Sequence, residues 1–337
     1  MLRALAIALV ACNSSPSPKD NGTAVPECPG SGCKDAPVIP GASVLFSGGF
    51  GPPAKVLVAG DAVVFEDPTC CIYVTPRSGG PTTTVVKRTQ IADFAISKNQ
   101  IIYVGVLENA QRMTVAGVAL PGHEGTKVMP PQLVPGDFDR AKIAVTNDDV
   151  YVVAQTLQAS SLLHWSVDGN HASNVSGGGS LVTDATHAYL VQGTAVHSLD
   201  HDGNTGPTLG DLPDALPERF ALDGDTLYYT TYRSIESAHL QGTSLKRDAW
   251  SADAKIVDSI AAANGRVVWG EGHTIYTAHP AKATVIETPG DEIVGLALAH
   301  DHVIWSVPYT YGPNATTTDE RLKTQKTGFV ATAPLPK

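Results

Sequence analysis

The triplet His300, Asp301 and His302 sets two imidazoles on the same side of an extended chain, which is half of a metal site if further ligands meet it. Asp200, Asp202 and Asn204 alternate as calcium ligands do in an EF-hand loop, but the glycine is Gly203, position twelve is Asp211 rather than Glu, and no helical pattern flanks them. Both stretches are also turn sequences, and turns are expected at both. Tyr309 and Tyr311 stand in a long polar loop, residues 308–320, where amphipathic rings suit ligand or protein contact, or a lid over their own sheet. The signatures G-x-S-x-G, G-x-G-x-x-G, the P-loop and H-E-x-x-H are absent, so no catalytic residue is assigned.

The composition narrows the partners. The chain has 337 residues, 23 Lys+Arg against 33 Asp+Glu and a net charge of -10, with no basic run, so it lacks the electrostatic footprint of nucleic-acid and anionic-surface binders. With 42% hydrophobic residues it can bury a sizeable core. Beyond the first dozen residues no apolar run approaches a bilayer span.

Residues 1–11 read as a signal peptide: Arg3 near the start, an apolar run from Ala4 to Val10, then small residues. The tetrad Leu9, Val10, Ala11, Cys12 resembles the bacterial lipobox, which implies a lipidated Cys12 and a membrane partner through that anchor. Asn13 resembles the residue after the cysteine in lipoproteins sent to the outer membrane. Residues 12–42, rich in Pro, Ser and Gly, cannot repay the entropy of folding and are expected to be a tether. With Cys12 acylated, Cys28, Cys33, Cys70 and Cys71 remain, an even number that fits two disulfides in an exported chain. Cys28–Cys33 with an adjacent Cys70–Cys71 bond is one pairing; the other staples the tether to the fold. No Cys-x2-Cys pair suggests zinc.

Residues 43–337 are expected to form one domain, because a ten-residue pattern recurs seven times: VLVAGDAVVF, FAISKNQIIY, IAVTNDDVYV, LVTDATHAYL, FALDGDTLYY, IAAANGRVVW and LALAHDHVIW, starting at Val56, Phe94, Ile143, Leu181, Phe220, Ile260 and Leu296. Each copy reads as strand, tight turn, strand, and the turn slot contains Asp61, Asn99, Asp148, Thr186, Asp225, Gly265 and Asp301. Aromatic Phe65, Tyr103, Tyr229, Trp269 and Trp305 recur at one slot and are expected to pack between sheets. A second strand pair follows most copies, as before Asp168–Gly169 and Asp202–Gly203. The spacing, 36 to 49 residues, is that of a four-stranded propeller blade, with an insertion expected in residues 122–140. The fold class is therefore an all-β, seven-bladed β-propeller. Ring closure places Val44 to Phe46, within the stretch SVLFS, as the outer strand of the last blade, with residues 329–332 as the competing choice.

LYYTTY at 227–232 resembles the YWTD strand, and FALDGD at 220–225 resembles the inner strand of NHL propellers. Those families include enzymes, receptors and scaffolds, so the resemblance implies a fold and carries over no catalytic residue. The expectation is an exported, lipid-anchored, monomeric propeller at the bacterial cell envelope, probing a protein or small-molecule ligand as a binding or scaffold module. The alternative is a metal-dependent, lactonase-like hydrolase or lyase with a divalent cation in the central channel, drawing on Asp184, Asp223, His187 and His300. No other cofactor is expected.

Overall fold

The computed structural model describes residues 25–28, 38–48, 55–67, 70–87, 89–107, 112–169, 172–216, 219–278, 282–288, 292–308 and 328–336. Cys12, Cys33, Tyr309 and Tyr311 lie outside them. The first strands in the chain, β1 (Val25–Cys28) and β2 (Ser43–Gly48), join sheets whose other strands come later. The first blade is β3 (Val56–Ala59), β4 (Ala62–Asp67), β5 (Cys71–Pro76) and β6 (Gly80–Val86). The second is β7 (Thr89–Ser97), β8 (Gln100–Leu107), β9 (Met113–Ala119) and β10 (Gln132–Leu133). The third is β11 (Arg140–Val145), β12 (Asp149–Gln155), β13 (Ser160–Ser166) and β14 (Ala172–Ser176). The fourth is β15 (Ser180–Thr183), β16 (Ala188–Gln192), β17 (Ala195–Leu199) and β18 (Thr205–Asp211). The fifth is β19 (Phe220–Asp223), β20 (Thr226–Thr230), β21 (Ser234–Gln241) and β22 (Ser244–Asp253). The sixth is β23 (Ser259–Ala263), β24 (Arg266–Glu271), β25 (Thr274–Ala278) and β26 (Lys282–Glu287). The seventh is β27 (Gly295–Ala299), β28 (His302–Val307) and β29 (Gly328–Pro334), completed on its outer edge by β2.

The repeat is a register. In every copy the first residue faces the tenth across the hairpin: Val56 opposite Phe65, Phe94 opposite Tyr103, Ile143 opposite Val152, Leu181 opposite Leu190, Phe220 opposite Tyr229, Ile260 opposite Trp269, and Leu296 opposite Trp305. The tenth residue is buried in all seven copies, so one large side chain per blade fills the space between neighbouring sheets. The fifth residue turns the chain. Gly60, Lys98, Gly224, Asn264 and His300 occupy that slot with φ between 53° and 60°, the left-handed region that a tight primed hairpin turn requires. The contacts between inner strands run round a closed circle, β3 to β7, β11, β15, β19, β23, β27 and back to β3.

Both segments proposed for closure belong to the last blade. β29 is its third strand, and β2 lies outside it, with Ser43 opposite Thr332 and Phe46 opposite Val330. Phe46 then reaches into the first blade, its ring centroid 4.9 Å from Phe65 and 5.6 Å from Tyr73. The long second interval is a detour before β10. There the buried Gln100 accepts from Met129 N at 2.9 Å, and Gly117 N donates to Met129 O at 2.9 Å. A Cβ on Gly117 would lie 2.7 Å from Met129 N, so this close approach excludes a side chain. The ordered chain also begins earlier than residue 43. Ile39 is buried against the last blade, and β1, inside the segment expected to be a tether, pairs with the outer edge of β6. That edge carries unpaired backbone groups which a neighbouring extended segment satisfies.

Phe46→Ala is expected to lower stability by about 3–5 kcal/mol, the usual loss for a buried aromatic. Urea denaturation checks this, with Val38→Ala, whose side chain is exposed, leaving the midpoint unchanged.

Candidate functional site

An up-and-down blade puts the two ends of the channel to different uses. The turns after the inner strands open on one face. The entries to the inner strands, together with the turns between second and third strands, open on the other.

The inner-turn face gathers acids, and each is engaged locally. Arg77 donates to Asp61 at 3.3 Å and Lys98 to Asp148 at 3.2 Å. Asp184 Oδ1 accepts from the backbone N–H groups of Thr186 and His187 at 2.6 and 2.7 Å, and Asp223 accepts from Gly265 N at 2.5 Å. These are the bonds that make Asp a turn residue. His300, exposed, and His302, half-buried, flank Asp301 here, with His302 Nδ1 2.7 Å from Asp301 Oδ1. The His302 hydrogen bond holds the Asp301 carboxyl below the usual carboxylate range. His300 occupies the positive-φ slot filled by Gly60 and Gly224 in other blades, which makes the triplet a hairpin turn. Asp200 likewise closes its own loop, accepting from Asp202 N and Asn204 N at 2.9 and 2.8 Å. Among the described residues no group of three His, Cys, Asp or Glu side chains is placed to hold a metal ion. The residues drawn on by the metal-centred alternative do not converge.

Between the third and fourth blades, buried Asp149 bridges two imidazoles, His164 Nε2 at 2.9 Å and His201 Nδ1 at 2.7 Å. Tyr151 OH donates to Asp200 O at 3.0 Å beside them. The Asp149 hydrogen bond raises the His201 pKa. This cluster clamps two blades together and lines neither mouth.

On the opposite face, the residue immediately before each repeat stands at the rim: Lys55, Asp93, Lys142, Ser180, Arg219, Ser259 and Gly295. They border a cavity of about 620 Å³ walled below by Leu57, Ile143, Leu181, Phe220, Ala261 and Leu296. Asp93, buried at a bulge in β7, ties three blades. Its carboxylate accepts from Lys55 Nζ at 2.8 Å, from Phe94 N at 2.9 Å and from Ile143 N at 2.9 Å. Glu66, near the end of β4, lines the same cavity with 4% of its surface exposed, and its Oε2 has no hydrogen-bond partner. Burial, reinforced by the Asp93 charge and opposed by Lys55 and Lys142, pushes the Glu66 pKa up to about 8. Lys142 and Arg219 have no ion-pair or side-chain hydrogen-bond partner among the described residues. The vicinal disulfide Cys70–Cys71 sits in the turn between β4 and β5, on this same face. Cys28 lies in β1, and a Cys28–Cys33 bond falls outside the described residues.

No protein-family model matches the chain, and no curated protein matches it in sequence. Solved structures do match. BamB from Moraxella catarrhalis is 8% identical, with 87% of this chain and 99% of that one covered at a TM-score of 0.55. The Neurospora crassa Pan2 WD40 domain is 10% identical, covering 85% and 90% at 0.51, and the AfRom2 CNH domain 13% identical, covering 88% and 100% at 0.55. The chain is a seven-bladed β-propeller. At these identities the likeness is one of fold, and the rim of this propeller has to be read from its own residues.

Lys55, Glu66, Asp93, Lys142 and Arg219 form no run or local motif in the sequence and are not among the site residues expected from it. The signal was there in the repeat alignment: the position before each copy alternates among charged, small and hydroxyl residues while the slots that follow stay apolar.

Glu66 makes stability depend on pH. Its folded-state pKa is raised, so between pH 4.5 and about 8 the folded chain keeps a proton that the unfolded chain releases, and stability falls as pH rises through that window. The loss is on the order of 4 kcal/mol. Glu66→Gln is expected to remove this slope and to melt above the native chain near pH 9. Equal melting at that pH would show a Glu66 that is not desolvated.

Proposed function

We propose that the chain is an exported, lipid-anchored propeller of the NHL/YWTD type that works as a binding module at the bacterial cell envelope. Its recognition surface is the face with the strand-entry rim. The observation that carries the binding reading is the rim cavity, lined by Lys142 and Arg219 and by Glu66, whose Oε2 has no hydrogen-bond partner among the described residues. Uncommitted polar groups in a concave site are what a ligand completes. The opposite mouth offers no such groups in Asp61, Asp148, Asp184 or Asp223, because each is engaged by a cation or by backbone N–H groups.

Two features support export. The Leu9-Val10-Ala11-Cys12 tetrad has the lipobox pattern, and the Cys70–Cys71 disulfide belongs to chains that fold in an oxidising compartment. Tyr309 and Tyr311, in the segment joining β28 to β29, are proposed as further ligand contacts, and the propeller is proposed to act as a monomer.

Cell fractionation tests the anchoring. The native chain is expected with the membranes, and Cys12→Ser is expected in the soluble envelope fraction with the same melting temperature. A native chain recovered as a soluble cytoplasmic protein would overturn the envelope reading.

A further inference from the structure

We propose that the strand-entry mouth binds a small organic or inorganic oxyanion, a carboxylate or a phosphate, with Lys142 and Arg219 as its charge partners and Glu66 as a hydrogen-bonding third contact. The proposal rests on the binding reading above and names the ligand class of the same site.

The sign of the ligand follows from which charges at the rim are already committed. Lys55 is consumed by Asp93 at 2.8 Å. Asp93 is in turn engaged on both oxygens, by one side-chain donor and two backbone donors. Asp258 accepts from Gly272 N at 2.6 Å. What is left over among the described residues is cationic: Lys142 on the third blade and Arg219 on the fifth, both lining the cavity. Their position is unusual for a chain of net charge -10. The acids that produce that net charge are concentrated elsewhere, many of them in the inner turns at the far end of the channel.

Glu66 adds the second, independent observation. A buried carboxyl with an unpartnered oxygen in a cavity wall is costly, and the cost is removed when a ligand supplies the partner. The groups that face Glu66 are Lys55, Lys142, Asp67 and Asp93. Held in its acid form by burial, Glu66 presents an O–H, which an oxyanion accepts and a cation does not. Once Glu66 ionises, the same group repels the anion. A charge-assisted contact from guanidinium or ammonium to an oxyanion is about twice as strong as a neutral hydrogen bond. The cavity of about 620 Å³ is in the size range of small-ligand pockets.

The test is isothermal titration of the full chain carrying Cys12→Ser with citrate, inorganic phosphate and glucose, at constant low ionic strength because screening weakens exposed charge pairs. Citrate or phosphate is expected to bind at about pH 6.5 with a Kd below about 1 mM, and glucose is not. Binding of citrate alone assigns the carboxylate, and of phosphate alone the phosphate. Lys142→Gln and Arg219→Gln are each expected to weaken binding about tenfold. Lys142 is exposed, so its variant keeps the fold and the experiment stays decisive if Arg219→Gln melts early. Affinity is expected to fall between about pH 6.5 and pH 9, and Glu66→Gln to abolish that fall while retaining binding at the lower pH. Anion affinity unchanged in the Lys142→Gln/Arg219→Gln variant, or no binding of either anion, overturns the proposal. The envelope reading fails on a different measurement, the fractionation of Cys12→Ser.

Discussion

The structure depends on a single junction: β2, which precedes the first blade in the chain, pairs with β29 of the last. A propeller left open at that point would expose two sheet edges and the side chains between the first and last blades. With the junction made, Leu45 and Phe46 are buried together with Phe65, Tyr73 and Ile304 in one cluster that belongs to both blades. Lys55 stands immediately before β3, whose contacts with β27 complete the same circle, so the closed ring holds the rim's first charged side chain against Asp93 at 2.8 Å.

Within the ring, the repeat divides its positions by physical duty. The tenth residue fills space between sheets and varies only among large apolar side chains and valine. The fifth reverses the chain, and tolerates Lys98 and His300 as well as glycine because its side chain projects into solvent. The residue before the first has neither duty. It stands where the inner strand enters, and Lys, Asp, Arg, Ser and Gly all occur there. Chemistry accumulates at the slot that has neither duty, and folding bears a cost at two points, since Asp93 there and Glu66 on β4 are both buried and polar.

The architecture was legible in the sequence because a blade imposes a strict hairpin register, and a register repeated seven times shows even where individual residues differ. The closing strand was legible from its likeness to the fourth strands of other blades. The turn at His300–His302 was legible because the other copies place Asn or Gly–Asp at the same point. Two features were not. The outer strand of the second blade shrinks to Gln132–Leu133, held by Gln100 and Met129 rather than by a strand-like pattern. The rim leaves no local motif because its cations are separated by whole blades; its only trace is the polar position before each repeat copy, and that position does not say which copies meet. Glu66 looked like an ordinary strand end, since a single sequence does not show which end of a strand faces the channel.

The segregation of acidic turns from the basic rim gives the ring a further property. Asp61, Asp148, Asp184, Asp223, Asp225 and Asp301 lie toward one end of the axis, and Lys142 and Arg219 lie at the other. The two mouths thus present charge in different forms: at the turn end carboxylates spread over separate hairpins and already engaged, at the entry end cations interleaved with Asp93 and Asp258 around one cavity. A charged partner meets a diffuse anionic edge at one end and a compact site of mixed sign at the other, so the two mouths select by different means.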